Sequence, residues 1–369
     1  MKNTEGRLGK TLLRGLAGLG LLLSVSACAT QRGPATVPVS RLAYNQAVAR
    51  SWDEQLLLNL VRMRYRDTPL FVDVGSITTQ FAVTGEVALS LGATGGDSSG
   101  TSAGAGLGLT YEERPTVTYT PLKGAEFLER LLAPITPATL VLLSQSGWSI
   151  ERLFICCVQE INGLRNAVSA AGPTPDYVPN YEAFHRMAFQ LRALQRAELL
   201  RVEPDDSGNL IFEIPTDAPP PLAEAAEEAR SLLGVAAGAS ELRTVPSRRK
   251  RKQDELAITG RSLLAVLFFL SQAVDVPPEH EAAGLVTVTR NADGSPFDWD
   301  KVTDRLLEIH TSERPPERAA VTIPYRGYYF WVADDDLTSK STLNLVSFLF
   351  ALKAGSQEGK EPLLTLGVN

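Results

Sequence analysis

Residues 77–119 read ITTQFAVTGEVALSLGATGGDSSGTSAGAGLGLTYEERPTVTY, and their periodicity decides how the chain is understood. Apolar residues alternate with small or polar ones: Phe81, Val83, Val87, Leu89 and Leu91 fall on one face, Thr84, Glu86 and Ser90 on the other. A Gly/Ser/Thr-rich stretch from Gly92 to Gly106 follows, after which Leu107, Leu109 and Tyr111 resume the alternation, with Val117 and Tyr119 beyond Pro115. Period two on both sides of a flexible apex predicts a long β-hairpin. Three readings of it stand open: an antiparallel pair lying with one face on a helical core, a membrane-inserting hairpin given to an oligomeric barrel, or a self-associating Gly-rich loop. A spanning strand needs about 9–11 residues of this alternation, and Phe81 to Leu91 meets that length. The return strand is weaker, with three clear apolar positions before Glu112, Glu113 and Arg114, and Glu86 then has to face water.

Outward from the hairpin, helical patterns dominate. Tyr44, Val48, Trp52, Leu56 and Leu60 recur every four residues, widened by Leu57 and Val61, which predicts a helix from Leu42 that stops before Pro69. Gly124 to Ala133, Pro137 to Ser144, and a segment capped by Ser149 read as helices. Trp148 between them is expected as a core anchor. Gly172, Pro173, Pro175 and Pro179 mark a linker; Asn180 is expected to cap a helix running to about Leu199, and Arg201–Glu203 with Leu210–Ile214 form a short hairpin. Pro219 to Pro221 open a short helix ending near Gly234, and Leu263 to Leu270 make a buried apolar helix. Expectations for the end of the chain are a strand at Val286–Val288, a helix over Trp299–Ile309, and a hairpin of Ala320–Ile323 with Tyr328–Val332. A helix from Ser339 to Ala354 and a strand from Leu363 to Val368 complete them. Runs of helix and strand without a fixed repeat imply an α+β fold: helical bundle elements, a long β-hairpin and a C-terminal mixed α/β part.

At the amino end Lys2, Arg7, Lys10 and Arg14 precede an apolar run from Leu12 to Val25, too short to span a bilayer and of the length of a signal peptide. Val25, Ser26, Ala27 and Cys28 resemble the lipobox of bacterial lipoproteins. That resemblance implies removal of residues 1–27 and covalent attachment of diacylglycerol and an N-acyl chain such as palmitate to Cys28. No other cofactor is expected. Several chains at about 0.8 kcal/mol per buried methylene anchor a protein without a membrane helix. Residues 28–41, with Gly33, Pro34 and Pro38, read as a tether, followed by a helical domain with the hairpin (42–171) and an α+β domain (172–369).

The whole chain carries a formal net charge of −6, and the signal segment would take four basic residues and one acidic residue with it. A mature chain that is more acidic still is a poor general nucleic-acid binder. The run Arg248-Arg249-Lys250-Arg251-Lys252 reads first as a solvated loop and second as a contact for anionic head groups. Cys156 and Cys157 are adjacent within an apolar helical pattern (Leu153, Phe154, Ile155, Val158, Ile161), which predicts buried, reduced thiols.

Chemistry is sparsely provided for. His185, His280 and His310 have no second ligand at metal-binding spacing, and His310 is expected at a helix C-terminus, where the dipole favours it. Gly96-Asp97-Ser98-Ser99-Gly100 departs from a protease nucleophile loop at Ser99, and Ser247 to Lys250 has an S-x-x-K spacing inside the basic run. Asp334, Asp335 and Asp336 precede a helix and are expected to favour its N-terminus. The expectation is a non-enzyme without a metal site.

The stretches EQLLLNLVRMRYRDTPL (54–70), SQSGWSIERLF (144–154) and RSLLAVLFFLSQAVDVPP (261–278) resemble an uncharacterised group of Gram-negative predicted outer-membrane lipoproteins. The resemblance implies an envelope location. In lipoproteins generally an aspartate after the lipidated cysteine retains the protein at the inner membrane; here Ala29 implies the outer membrane, periplasmic face. The leading expectation is therefore a lipid-anchored accessory, assembly or interaction component. An oligomeric pore or secretion component inserting residues 77–119 is the alternative, and a periplasmic enzyme on envelope polymers the third. Expected partners are the membrane through its lipid, envelope proteins and further copies of the chain, without nucleic acid.

Overall fold

The computed structural model describes residues 32–94, 100–205, 209–246 and 251–354. The lipobox Val25 to Cys28, the C-terminal strand expected at Leu363–Val368 and the core of the basic run lie outside the described residues. By its internal contacts the chain forms two units, Met1–Gln55 and Leu56–Asn369.

In the first unit the described residues belong to helix α1, Arg32–Arg64, which continues into the second. At 1.5 Å per residue its 33 residues extend about 50 Å. The tether expected up to residue 41 is thus corrected to helix from Arg32. Pro34 sits in the first turn, where its missing N–H is not needed, and Pro38 removes only the bond to residue 34. Tyr44, Val48 and Trp52 are half-buried while most of their neighbours are exposed, and Leu56 and Leu60 are fully buried, as the four-residue spacing predicts.

The second unit is α+β. Its first sheet is an isolated pair, β1 (Val72–Thr94) and β2 (Gly100–Pro121). Asn59, buried at 1% exposure, fixes the base of the pair: its Nδ2 donates to the Leu70 carbonyl at 2.8 Å and its Oδ1 accepts from the Leu70 N–H at 2.9 Å. Leu122 N–H then closes on the Phe71 carbonyl at 2.9 Å.

Helices α2 (Ala125–Leu132), α3 (Pro137–Gln145) and α4 (Ile150–Cys157) follow; Thr136 caps α3 and Ser149 caps α4. Where the apolar pattern suggested more helix, the chain switches at Val158 into β3 (Val158–Ile161), then β4 (Leu164–Arg165). Helix α5 (Glu182–Arg196) has Tyr181 at its N-cap without a side-chain bond, so Asn180 is not the cap. Beyond it come β5 (Arg201–Pro204), β6 (Leu210–Glu213), α6 (Leu222–Leu233), β7 (Glu241–Val245) and β8 (Glu255–Gly260). These strands and β3–β4 make one six-stranded sheet in the order β4-β3-β8-β7-β6-β5, parallel only between β7 and β8. The expected domain boundary at 171/172 therefore falls between strands of a single sheet.

Helix α7, Leu263–Leu270, is apolar throughout and meets α2, α4 and the later α10 (Leu337–Ala354). Gly260 just before it is obligatory, because a Cβ there would lie 2.0 Å from the Ile135 carbonyl oxygen. Short helices α8 (Pro278–Ala282) and α9 (Asp300–Thr303) precede a three-stranded sheet, β10-β11-β9, of β9 (His310–Ser312), β10 (Ala319–Tyr325) and β11 (Tyr328–Ala333). Val286–Val288 is irregular rather than a strand, and the helix expected over Trp299–Ile309 ends at Thr303, because Ile309 N–H turns to the Ala273 carbonyl at 3.0 Å. Among the described residues no helix is long and apolar enough to cross a membrane.

Arg261, at the β8–α7 junction, holds the centre. It is fully buried, donates to the carbonyls of Ile155 (2.8 Å), Cys156 (3.0 Å), Asn166 (3.0 Å) and Ala167 (3.4 Å), and lies 4.0 Å from the centroid of the Phe269 ring. Asn166 Nδ2 adds bonds to the Ile155 and Val158 carbonyls at 2.9 and 2.7 Å. Carbonyls left open at the end of α4 are thus met by side chains from distant sequence, and a cation there also suits the helix dipole. Burial pulls the Arg261 pKa down to about 10, still leaving it charged at neutral pH.

Candidate functional site: an amphipathic β-ribbon

The ribbon is longer than the sequence suggests. Pairing runs from Val72↔Pro121 to Thr94↔Gly100, broken only by a bulge between Val74 and Ser76. The stretch expected as a flexible apex, Gly92 to Gly106, is strand except for residues 95–99, which lie outside the described residues. Small residues pair with small ones there, as Ser90↔Gly104 and Gly92↔Ser102, so the low strand preference of glycine is overridden by the register.

Register determines the faces, because directly opposed residues share one. Val83↔Tyr111, Gly85↔Leu109, Val87↔Leu107, Leu89↔Ala105 and Leu91↔Ala103 occupy one face. Between them, Thr84↔Thr110, Glu86↔Gly108, Ala88↔Gly106 and Ser90↔Gly104 occupy the other. By register, seven of the eight hairpin residues singled out by alternation, Val83, Val87, Leu89, Leu91, Leu107, Leu109 and Tyr111, fall on one face of the ribbon. The eighth, Phe81, shares the face but stands opposite Glu113. Gln80↔Arg114 and Ala82↔Glu112 add further polar positions at this boundary, and Tyr111 sits one step inside it. From Val83 to Ala93 the band covers about 34 Å of strand at ~3.4 Å per residue, or about 25 Å of height at a tilt of 35–45°. No third strand joins either edge among the described residues.

Other candidate residues are accounted for structurally. Cys156 and Cys157 are free and buried, and the Cys157 pKa is pushed well up, first by its hydrogen bond with Cys156 and then by burial. Asp336 caps α10, accepting from the Thr338 and Ser339 N–H groups at 3.0 Å each, while Asp334 pairs with Lys340 at 2.8 Å. His310 lies in β9, its ring 4.5 Å from that of Trp331, so the expected helix-dipole partnership is corrected. His280 Nδ1 meets the Tyr65 hydroxyl at 2.7 Å. Among the described residues no group of acidic, Cys or His side chains is arranged to hold a metal.

Sequence reading missed a cavity of about 720 Å³ where the α3–α4 turn, α5 and α10 meet, lined among others by Trp148, Arg152, Arg192, Ser341 and Phe348. Gly147 makes the turn possible, at φ 93°, and Trp148 N–H bonds the Leu143 carbonyl at 3.2 Å. Trp148 is half-buried at the rim, its ring 6.1 Å from Phe348, rather than a core anchor. Gln195 ties the turn to α5: Nε2 donates to the Trp148 carbonyl at 3.0 Å, and Oε1 accepts from Ile150 N–H at 2.9 Å and from Arg192 at 2.7 Å. The available sequence signal was slight, two arginines with no carboxylate three or four residues away on their helices.

No protein-family model, curated protein or solved structure matches the chain.

Proposed function

We propose that the chain is a lipid-anchored, non-enzymatic component of the outer membrane that inserts its β1–β2 ribbon into the bilayer and closes a barrel edge to edge with further copies. The observation carrying this reading is the register, which gathers the apolar residues of both strands on one face over a bilayer-sized height. An isolated two-stranded ribbon is marginal in water. Within hydrocarbon its outer N–H and C=O groups would each cost several kcal/mol unless neighbouring strands met them. Copies of the same ribbon supply that partner at both edges, and the Thr, Ser, Gly and Glu86 face then lines a wet lumen. Of the readings open from sequence, this weighs for the pore or secretion component over the accessory protein. Cys28 carries the anchor in this proposal and holds each copy at the membrane before assembly.

The test is the mass of the purified protein in mild detergent, by light scattering, beside a variant lacking residues 84–110. A ring-sized oligomer that collapses to single copies on deletion is expected. A monomer indifferent to the deletion overturns the proposal. Cys28→Ser is expected to lose lipid labelling and to reach the membrane fraction less efficiently.

A further inference from the structure

The cavity beside Trp148 carries an inference independent of the ribbon. Arg152 and Arg192 both line it, and neither guanidinium forms an ion pair among the described residues. Arg152 Nε is buried without a hydrogen-bond partner, and the bond Arg192 makes is to the neutral amide of Gln195. Burial is the largest influence on the Arg152 cation and disfavours it; Cys156, Glu151 and Asp336 act in its favour and Arg192 against it. Two guanidinium groups beside each other, one with an unsatisfied buried N–H and neither in direct contact with a carboxylate among the described residues, leave donors unmet. The hydroxyls of Ser146, Ser149 and Ser341 also line the space. An apolar wall completes it: Phe348, 52% exposed, and Trp148 meet edge to face at 76°.

We propose that this cavity binds a phosphomonoester joined to an aromatic or apolar group. Charge selects the head: a phosphomonoester carries about −1.5 to −2 at neutral pH and three acceptor oxygens, matching two guanidinium forks, whereas a carboxylate balances one. Ser149 Oγ, which accepts from the Arg152 N–H, keeps its proton to donate to a remaining oxygen, whereas Ser146 and Ser341 donate theirs to the Leu142 and Leu337 carbonyls. The Trp148–Phe348 wall selects the body, and a volume of about 720 Å³ is of the size that holds a small organic molecule.

Calorimetry on the full-length protein in detergent tests this with phenyl phosphate, inorganic phosphate and benzoate as probes. Phenyl phosphate is expected to bind saturably, at least tenfold tighter than benzoate and more tightly than inorganic phosphate. Arg192→Gln is expected to weaken phenyl phosphate at least tenfold, with Arg192→Lys between the two. Phe348→Ser, at an exposed position, is expected to weaken phenyl phosphate towards the level of inorganic phosphate while leaving inorganic phosphate unchanged. Benzoate binding as well as phenyl phosphate, Arg192→Gln binding like the parent, or no saturable binding of any probe overturns the proposal. Should Arg192→Gln fail to fold by circular dichroism, the ranking of probes on the parent and the Phe348→Ser result decide the matter.

Discussion

His185 makes the stability of the second unit sensitive to acid, by an amount that can be worked out. It lies on α5 with its ring 5.0 Å from that of Tyr181, and its Nε2 is buried without a partner. Burial first, then the positive charges of Arg261 and Arg305, lower its pKa from 6.5 to about 4. Above pH 6.5 the imidazole is neutral in both folded and unfolded chains and contributes nothing to the pH dependence. As pH falls from 6.5 towards 4 the unfolded chain takes up a proton that the folded chain refuses, so stability is lost throughout that window and levels off below it. The full loss is roughly 3 kcal/mol at 1.36 kcal/mol per pKa unit, and about three quarters of it is gone at pH 4.5. Urea unfolding followed by far-ultraviolet circular dichroism between pH 7.5 and 4.5, on the parent and on His185→Gln, measures it. Carboxylates titrate in both proteins, so the difference between their two pH profiles isolates the histidine. Profiles that stay parallel to within about 0.5 kcal/mol, or an imidazole titrating near 6.5 by NMR, would refute the reasoning.

Replacing Arg261 with methionine fills much of its volume but abandons four carbonyls and the cap of α4; a loss of about 3–5 kcal/mol in urea unfolding is expected, and one below about 1 kcal/mol contradicts its role. Gly260→Ala must displace the Ile135 carbonyl, and overpacking of this kind costs about 1–3 kcal/mol or more, readable as a lowered Tm. Val87→Arg puts a charge midway along the apolar band, at about 2–4 kcal/mol per copy for a residue at the bilayer midplane. It is expected to abolish detergent-stable rings while leaving the circular dichroism of the second unit intact, and rings of unchanged mass would count against membrane insertion.

The ribbon was legible because period-two alternation survives even where glycine replaces larger residues. Its extent was not, since Gly92 to Gly106 have low strand preference one by one and gain it only in register with a partner. At Cys157–Val158 the apolar run continues without a break, and what ends α4 is Asn166 and Arg261, the latter more than a hundred residues away. The same distance hid the six-stranded sheet: β4 has two residues and β7, ELRTV, lacks clean alternation, so each is stabilised by its neighbours more than by its own pattern. The Pro- and Gly-rich stretch from Gly172 to Pro179 looked like a domain boundary, whereas strands from both sides of it enter one sheet. Trp299 to Ile309 has helical spacing up to His310, but the pairing of His310 with Trp331 in the sheet overrides it. The two-arginine cavity combines residues of four helices and leaves almost no trace in the linear order.

The two open edges of the β1–β2 ribbon have a genetic consequence. In a ring closed through them every copy adds two strands, so the strand number is even and the bore changes in steps of one copy, never by a single strand. Each copy also shares a seam with two neighbours, and one copy with a faulty ribbon opens both. In a cell making faulty and sound copies together, the proportion of rings with none of the faulty kind falls as a power of the copy number. A ribbon variant that still reaches the membrane should therefore behave as a dominant allele, and a variant that never leaves the cytoplasm as a recessive one.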